Sequence, residues 1–154
     1  MDYQVRIVHE PARKLAVKTF HGTPSDVGEK IGAAFRDVAE FLVKRGAPPA
    51  GPAVAYYEMV EDGFLVAAGF TVPRELPAED DVVPLKLPDA EVATTTHVGP
   101  YEKLPEAYEA LKRGAAEQAR EVEASGGMWE EYWSGPEVPS DETRTEVFWP
   151  LKPR

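Results

Sequence analysis

The chain has 154 residues, 43% of them hydrophobic, with 27 acidic against 17 basic side chains and a formal net charge of −10. That composition supports a folded core, in one domain or in two small modules sharing a core, and argues against wholesale disorder. The acidic field is a poor match for nucleic acid or anionic membranes, and the lack of cysteine excludes disulfides, thiol nucleophiles and thiolate metal sites.

The N-terminus, Met-Asp-Tyr-Gln-Val-Arg, lacks the basic-then-apolar run of a signal peptide. No apolar run approaches membrane-spanning length, so a cytoplasmic protein is expected. Residues 3–8 alternate and predict a first strand, and residues 14–20 a second, broken by His21-Gly22. Thr23-Pro24-Ser25-Asp26 is a helix start, with Thr23 as N-cap, Pro24 at the first helical position and Asp26 near the positive end. Val27, Ile31, Phe35, Val38 and Leu42 then form one apolar stripe over a helix from 24 to about 45, with Gly46 as its C-terminal cap. Residues 47–52 are a Pro/Gly connection.

Residues 54–60 and 64–72 predict two strands joined by Glu61-Asp62-Gly63, a hairpin signal. Residues 74–81 are an acidic loop. Residues 82–87 carry Pro84 and predict a short edge or bulged strand. Another strand spans 90–97 and is broken by Val98-Gly99-Pro100. A second helix follows, with Leu104, Tyr108, Leu111, Ala115 and Val122 on one face and Pro105 in its first turn. The acidic run 117–123 reads as its solvated face. Ser125-Gly126-Gly127 stops the helix. The aromatic run at 129–133 predicts a strand, 135–142 a loop, and 143–149 a last strand ended by Pro150.

The order is strand, strand, helix, strand, strand, and then the same again. Thr19-Phe20-His21-Gly22 resembles Thr96-His97-Val98-Gly99, and Tyr56-Tyr57-Glu58 corresponds to Trp129-Glu130-Glu131-Tyr132. Gly22 and Gly99 share a separation with Pro73 and Pro150. An internal duplication is the economical reading, with halves of approximately 1–74 and 82–151. The expected fold is α+β: a duplicated strand–helix–strand–strand module, a mainly antiparallel sheet with two long helices on one face, and a central cleft at the seam.

The segment Trp129-Glu130-Glu131-Tyr132-Trp133 embeds two acids in an aromatic, β-like run. Side chains alternate across a strand. Glu130 and Tyr132 therefore share one face, and Trp129, Glu131 and Trp133 the other. One acid is expected to point inward, where a carboxylate is costly unless paired, hydrogen-bonded or waiting for a ligand. From the residues alone, an exposed strand acid on a solvated face stands beside that reading. Trp129, Trp133, Trp149, Tyr56, Tyr57, Tyr101, Tyr108 and Phe148 are candidates to wall a cleft, with ordinary core packing as the alternative for each. Parity places Trp149 or Phe148, not both, on the cleft side. Aromatic faces attract organic cations, by roughly 0.5–2 kcal/mol per contact. His9, His21 and His97 match no ligand spacing, so no metal is expected. No phosphate-binding loop is present, and no cofactor is expected. Ser25, Ser125, Ser134 and Ser140 fall at caps and turns, which argues against a serine nucleophile.

His97-Val98-Gly99-Pro100-Tyr101, the helix bearing Tyr108 and Leu111, Trp129-Glu130-Glu131-Tyr132 and Phe148-Trp149-Pro150-Leu151 together resemble the GyrI-like small-molecule-binding domain, also called the AraC-type effector-binding domain. The resemblance covers essentially the whole chain. It implies that Glu130 sits at the base of a cleft amid aromatic rings, with Tyr132 beside it, and that Glu131 is the lesser candidate. The implied ligand-binding set is Glu130, Tyr132, Trp129, Tyr56, Tyr57, Tyr108, Trp149, Phe148 and Tyr101. The implied partner is a lipophilic aromatic or cationic small molecule. Multidrug-binding activators in the family carry an added helix-turn-helix, which this sequence does not show, so direct gene regulation is not expected of it acting alone. Stand-alone relatives that hydrolyse cyclopropane-containing, DNA-alkylating natural products imply an alternative with Glu130 and Tyr132 as catalytic residues. Others inhibit DNA gyrase, which makes a gyrase, or a separate regulator, a further candidate partner. The sequence does not fix the oligomeric state.

Overall fold

The computed structural model describes residues 3–49, 51–124, 127–133 and 138–153. Among them are eight strands and two α-helices, in the order β1 (Arg6–Glu10), β2 (Arg13–Gly22), α1 (Val27–Lys44), β3 (Ala53–Val60), β4 (Gly63–Thr71), β5 (Val83–Leu87), β6 (Ala90–Val98), α2 (Leu104–Glu117), β7 (Met128–Tyr132) and β8 (Arg144–Pro150). The class is α+β, and every described strand pairing is antiparallel.

Two compact units divide the chain. One is residues 12–88, and the other joins residues 1–11 to 89–154. The expected halves, 1–74 and 82–151, place β1 in the first. Instead β1 pairs with β6, and β5 pairs with β2. Each unit therefore takes its outer strand from beyond the simple repeat. Sequence order cannot announce this, because a strand carries no mark of which neighbour will take its hydrogen bonds.

In the unit of residues 12–88, the strands run β3–β4–β2–β5. Helix α1 buries Ile31, Ala34, Val38, Phe41 and Leu42. Val38, Phe41 and Leu42 pack with Ala16, Val72 and Val82; of the stripe expected from the sequence Ile31, Val38 and Leu42 are buried and Val27 and Phe35 half-buried, with Ala34 and Phe41 added. Full burial of a side chain of this size is worth about 1.5–3 kcal/mol. The N-terminal cap is not Thr23. Asp26 occupies the N-cap, and its Oδ1 accepts the Thr23 backbone N–H at 2.7 Å. That bond is the largest cause holding the Asp26 carboxyl below its ordinary range. At the other end Gly46 has φ +70, and Ala47 N–H reaches back to Leu42 O at 2.9 Å. Glycine adopts this left-handed turn without a Cβ penalty.

In the second unit, the strands run β1–β6–β8–β7, and α2 lies on one face. Its buried residues include Leu104, Ala107, Leu111 and Ala115. The helix stops at Glu117, earlier than the apolar spacing to Val122 implied. Ala119 adopts φ +58, and Arg120 N–H closes the end on Ala115 O at 2.8 Å. Val122 instead bridges to Leu151, and residues 118–123 of the acidic run lie outside the helix. Ser125, Gly126 and Ser134, and residues 135–137 of the expected loop, lie outside the described residues.

The two units repeat one register. Ala16 opposes Phe70 as Ala93 opposes Trp149, and Tyr57 opposes Val66 as Tyr132 opposes Thr145. Phe70 is therefore the counterpart of Trp149, and Tyr57 that of Tyr132. Glu130 falls at the position of Ala55, and Glu131 at that of Tyr56. The equal spacing of the glycines and prolines does not carry through to this register, because Pro73 lies three residues past Phe70 whereas Pro150 directly follows Trp149.

Candidate functional site

Register sorts the β7 and β8 side chains onto two faces. Trp129 opposes Phe148, Glu130 opposes Val147, Glu131 opposes Glu146 and Tyr132 opposes Thr145. Directly opposed residues share a face. Glu130, Tyr132, Val147 and Trp149 therefore look toward α2. Trp129, Glu131, Glu146 and Phe148 look away from it.

Glu130 is 3% exposed. Both of its oxygens accept phenol hydroxyls: Tyr108 on α2 donates to Oε2, and Tyr132, two residues along the strand, donates to Oε1. A buried carboxylate needs such donors to offset its desolvation. Around the group the rings meet edge to face: Tyr108 with Trp149 at 5.9 Å and Tyr101 with Tyr132 at 5.9 Å. Trp149 is buried, Tyr108 and Tyr132 are half-buried, and Tyr101 is exposed. Solvent thus meets the rings before the carboxylate. Burial, and then the Glu130 charge, hold the Tyr101 phenol above its ordinary range.

The His97-to-Tyr101 turn positions Tyr101. His97 is fully buried, with Nε2 at 3.0 Å from Pro100 O. Gly99 has φ +133, donates its N–H to Thr143 O at 2.9 Å and accepts from Thr143 Oγ1 at 2.6 Å.

Five of the residues singled out from the sequence therefore gather on one face: Glu130, Tyr132, Tyr108, Tyr101 and Trp149. Trp129 and Phe148 do not join them. They stack on each other at 5.6 Å on the far face, because odd and even positions of a strand diverge. Tyr56 and Tyr57 lie on β3 of the other unit and point to opposite faces there. Tyr57 is edge-on to Phe64 at 6.2 Å, and Tyr56 Oη lies 3.4 Å from Glu58 Oε1. Parity alone forbids adjacent Tyr56 and Tyr57 from lining one face.

Two features escaped sequence reasoning. Lys112 Nζ sits 5.6 Å from the Trp149 ring centroid, and its spacing of one helical turn from Tyr108 was the available signal. The second concerns the acids. One was expected inward, but both are buried, Glu131 at 8%. The strand is covered on both faces, so alternation does not send either acid to water. Among the described residues no group of three or more His, Asp or Glu side chains is arranged to hold a metal ion, and no helix is long and apolar enough to cross a membrane.

No curated protein matches the chain. Solved structures do. The EcmrR C-terminal domain aligns with a TM-score of 0.78 at 20% identity, over 99% of this chain and 99% of its own. A hydrolase from Listeria innocua aligns at 0.72 and 11% identity, over 97% of this chain and 92% of its own. SAV2435, solved bound to tetraphenylphosphonium, aligns at 0.62 and 15% identity, over 99% and 94%. At such identities the likeness concerns the fold. The model of the GyrI-like small molecule binding domain matches residues 3–152, and the chain belongs to that family.

Proposed function

We propose that the chain binds bulky aromatic, often cationic, small molecules on the Glu130 face of its second unit. The observation that supports this reading most is the buried carboxylate held by Tyr108 and Tyr132. Two phenol donors hold its negative charge in a low-dielectric setting, where a ligand cation is attracted more strongly than in water. Tyr101 and the half-buried tyrosines offer ring faces to the same ligand. The net charge of −10 favours approach of a cation. The ligand of SAV2435 is a lipophilic cation of this class.

The test is titration with tetraphenylphosphonium, read by tryptophan fluorescence and calorimetry. Saturable binding is expected, weakened roughly tenfold or more in Glu130→Gln, a loss of about 1.4 kcal/mol or more. Equal affinity in the variant, or no saturable binding by the wild type, overturns the proposal.

The same three side chains support a second reading, a hydrolase acting on strained, electrophilic cyclopropanes. Glu130 would take a proton from water as the water oxygen bonds to a ring carbon and the strained C–C bond breaks, a neighbouring tyrosine hydroxyl protonating the departing carbon or the oxygen conjugated to it and then regaining its proton from Glu130. A water adduct formed over many turnovers in substrate excess supports hydrolysis. Stoichiometric binding without product supports sequestration.

A further inference from the structure

The repeat extends from the strands to the helices. Helix α1 buries Ile31, Ala34, Val38 and Leu42, and α2 buries Leu104, Ala107, Leu111 and Ala115 at the same spacings. Phe35 thus falls at the position of Tyr108. The ring pairs agree: Phe35 meets Phe70 with centroids 5.9 Å apart, as Tyr108 meets Trp149 at 5.9 Å. Strand register independently makes Phe70 the counterpart of Trp149. On the same helix register Lys112 falls at the position of Ala39, just as Glu130 falls at that of Ala55. The anion and the cation that attend the Tyr108–Trp149 pair are therefore both alanine in the first unit.

Lys112 is lightly held. Its Nζ lies 5.6 Å from the Trp149 ring centroid and 3.3 Å from Glu109 Oε1. The two charged side chains are 49% and 61% exposed. A helical ion pair and a cation–π contact at such exposure each stabilise only weakly. The ring beneath is different. Trp149 is 5% exposed, and its indole N–H is fixed on Glu123 O at 3.2 Å. The indole is therefore the fixed partner and the ammonium the movable one. A lysine stem can cover apolar surface and still carry its head out to water.

We propose that Lys112 is a specificity-determining residue of the Glu130 face: a resident cation over Trp149 that a ligand cation displaces on binding. This rests on the binding reading given above. The resident charge acts twice. It takes the indole face that attracts a ligand cation, and it repels a second positive charge brought beside Tyr108. A compound with several aryl rings replaces the lysine contact by a larger aromatic one. A small alkylammonium brings no such exchange. Lys112 thereby makes the site demand aromatic breadth as well as positive charge.

Calorimetric titration of wild type, Lys112→Met and Lys112→Arg tests this. The probes are tetraphenylphosphonium and triphenylphosphine oxide, which keeps aryl rings on phosphorus without the net charge. Lys112→Met keeps a stem of similar length and is expected to bind the phosphonium roughly threefold or more tightly than wild type, and the oxide equally. Lys112→Arg keeps the charge and stacks more firmly on an aromatic face, so it is expected to bind the phosphonium no better than wild type. Equal or weaker phosphonium binding by Lys112→Met overturns the proposal, as does an equal gain for both compounds. Should the oxide bind neither protein, the arginine variant decides, and a gain that it shares with Lys112→Met overturns the proposal. In each of these cases phosphonium binding that is lost in Glu130→Gln leaves the binding reading standing. Phosphonium binding by neither wild type nor Lys112→Met overturns both.

Discussion

The Tyr3 hydroxyl lies 2.9 Å from Nδ1 of the fully buried His97, across 94 positions of sequence. The other ring nitrogen faces the Pro100 carbonyl, which only accepts. Nε2 therefore carries the proton, and Nδ1 accepts from Tyr3. Tyr3→Phe leaves a buried acceptor unpaired and is expected to cost about 1–3 kcal/mol, measured by urea unfolding. Nitrogen NMR of the wild type is expected to show the Nε2–H tautomer. The opposite tautomer would refute the assignment.

Removing either phenol from Glu130 leaves a buried carboxylate with one fewer donor. Tyr108→Phe and Tyr132→Phe are each expected to lose about 1–3 kcal/mol of stability. Removal of both, measured as a double-mutant cycle, is expected to be non-additive because the two hydroxyls share one acceptor group. Additive losses would mean that the two bonds act independently.

Alkaline titration reports on the same site. The Tyr101 phenol is neutral when protonated, and its folded-state pKa is raised, first by burial and then by Glu130. Its contribution to stability is complete below the unfolded value of about 10 and is lost as pH rises through the folded value. Ultraviolet phenolate absorbance should show a late-ionising component, to which half-buried Tyr3 also contributes, that shrinks by one tyrosine in Tyr101→Phe. In Glu130→Gln Tyr101 should ionise earlier, yet still late, because burial is the larger cause. No movement in Glu130→Gln would remove the carboxylate from the explanation.

Ala119 holds a left-handed conformation, φ +58, at the end of α2. An L-residue with a Cβ loses roughly 1–2 kcal/mol there relative to its preferred regions, whereas glycine is at home. Ala119→Gly is expected to raise stability by up to about 1 kcal/mol, seen as a higher midpoint of thermal unfolding. A lower midpoint would place the helix end elsewhere.

Gly114 lies where α2 crosses the N-terminal segment, and an added Cβ would fall 2.5 Å from Val5 Cβ. Overpacking costs about 1–3 kcal/mol, and alanine returns about 1 kcal/mol of helix propensity. Gly114→Ala is therefore expected to destabilise, while in a Val5→Gly background, which removes the opposing Cβ, it should not. Equal losses in both backgrounds would exclude the clash.

Much of the fold was legible because alternation and helical spacing are local. Residues 54–60 and 64–72 around Asp62-Gly63 predicted β3 and β4 to within a residue or two, and the stripe from Val27 to Leu42 marked the face that α1 buries. The end of α2 was not legible, because alanine occupies the left-handed position where glycine would have signalled it. The partners of β1 and β5 were hidden because pairing is a tertiary choice. At the site, motif resemblance drew attention to Glu130, and strand parity separated it from Trp129. Parity also split Trp149 from Phe148; the same rule went unapplied to Tyr56 and Tyr57, which the expected set kept together. The burial of Glu131 stayed hidden because alternation describes one covered face, and this strand has two.

Ala55 stands in the first unit where Glu130 stands in the second, and Tyr57 where Tyr132 stands. The chain thus contains its own reference experiment: one strand–helix module folded with the acid and one folded without it. A methyl group suffices to complete the architecture at that register position. The carboxylate is an addition to a scaffold that does not require it. On the proposed function, the cost of burying it is met for the sake of the ligand it would bind and not for the fold.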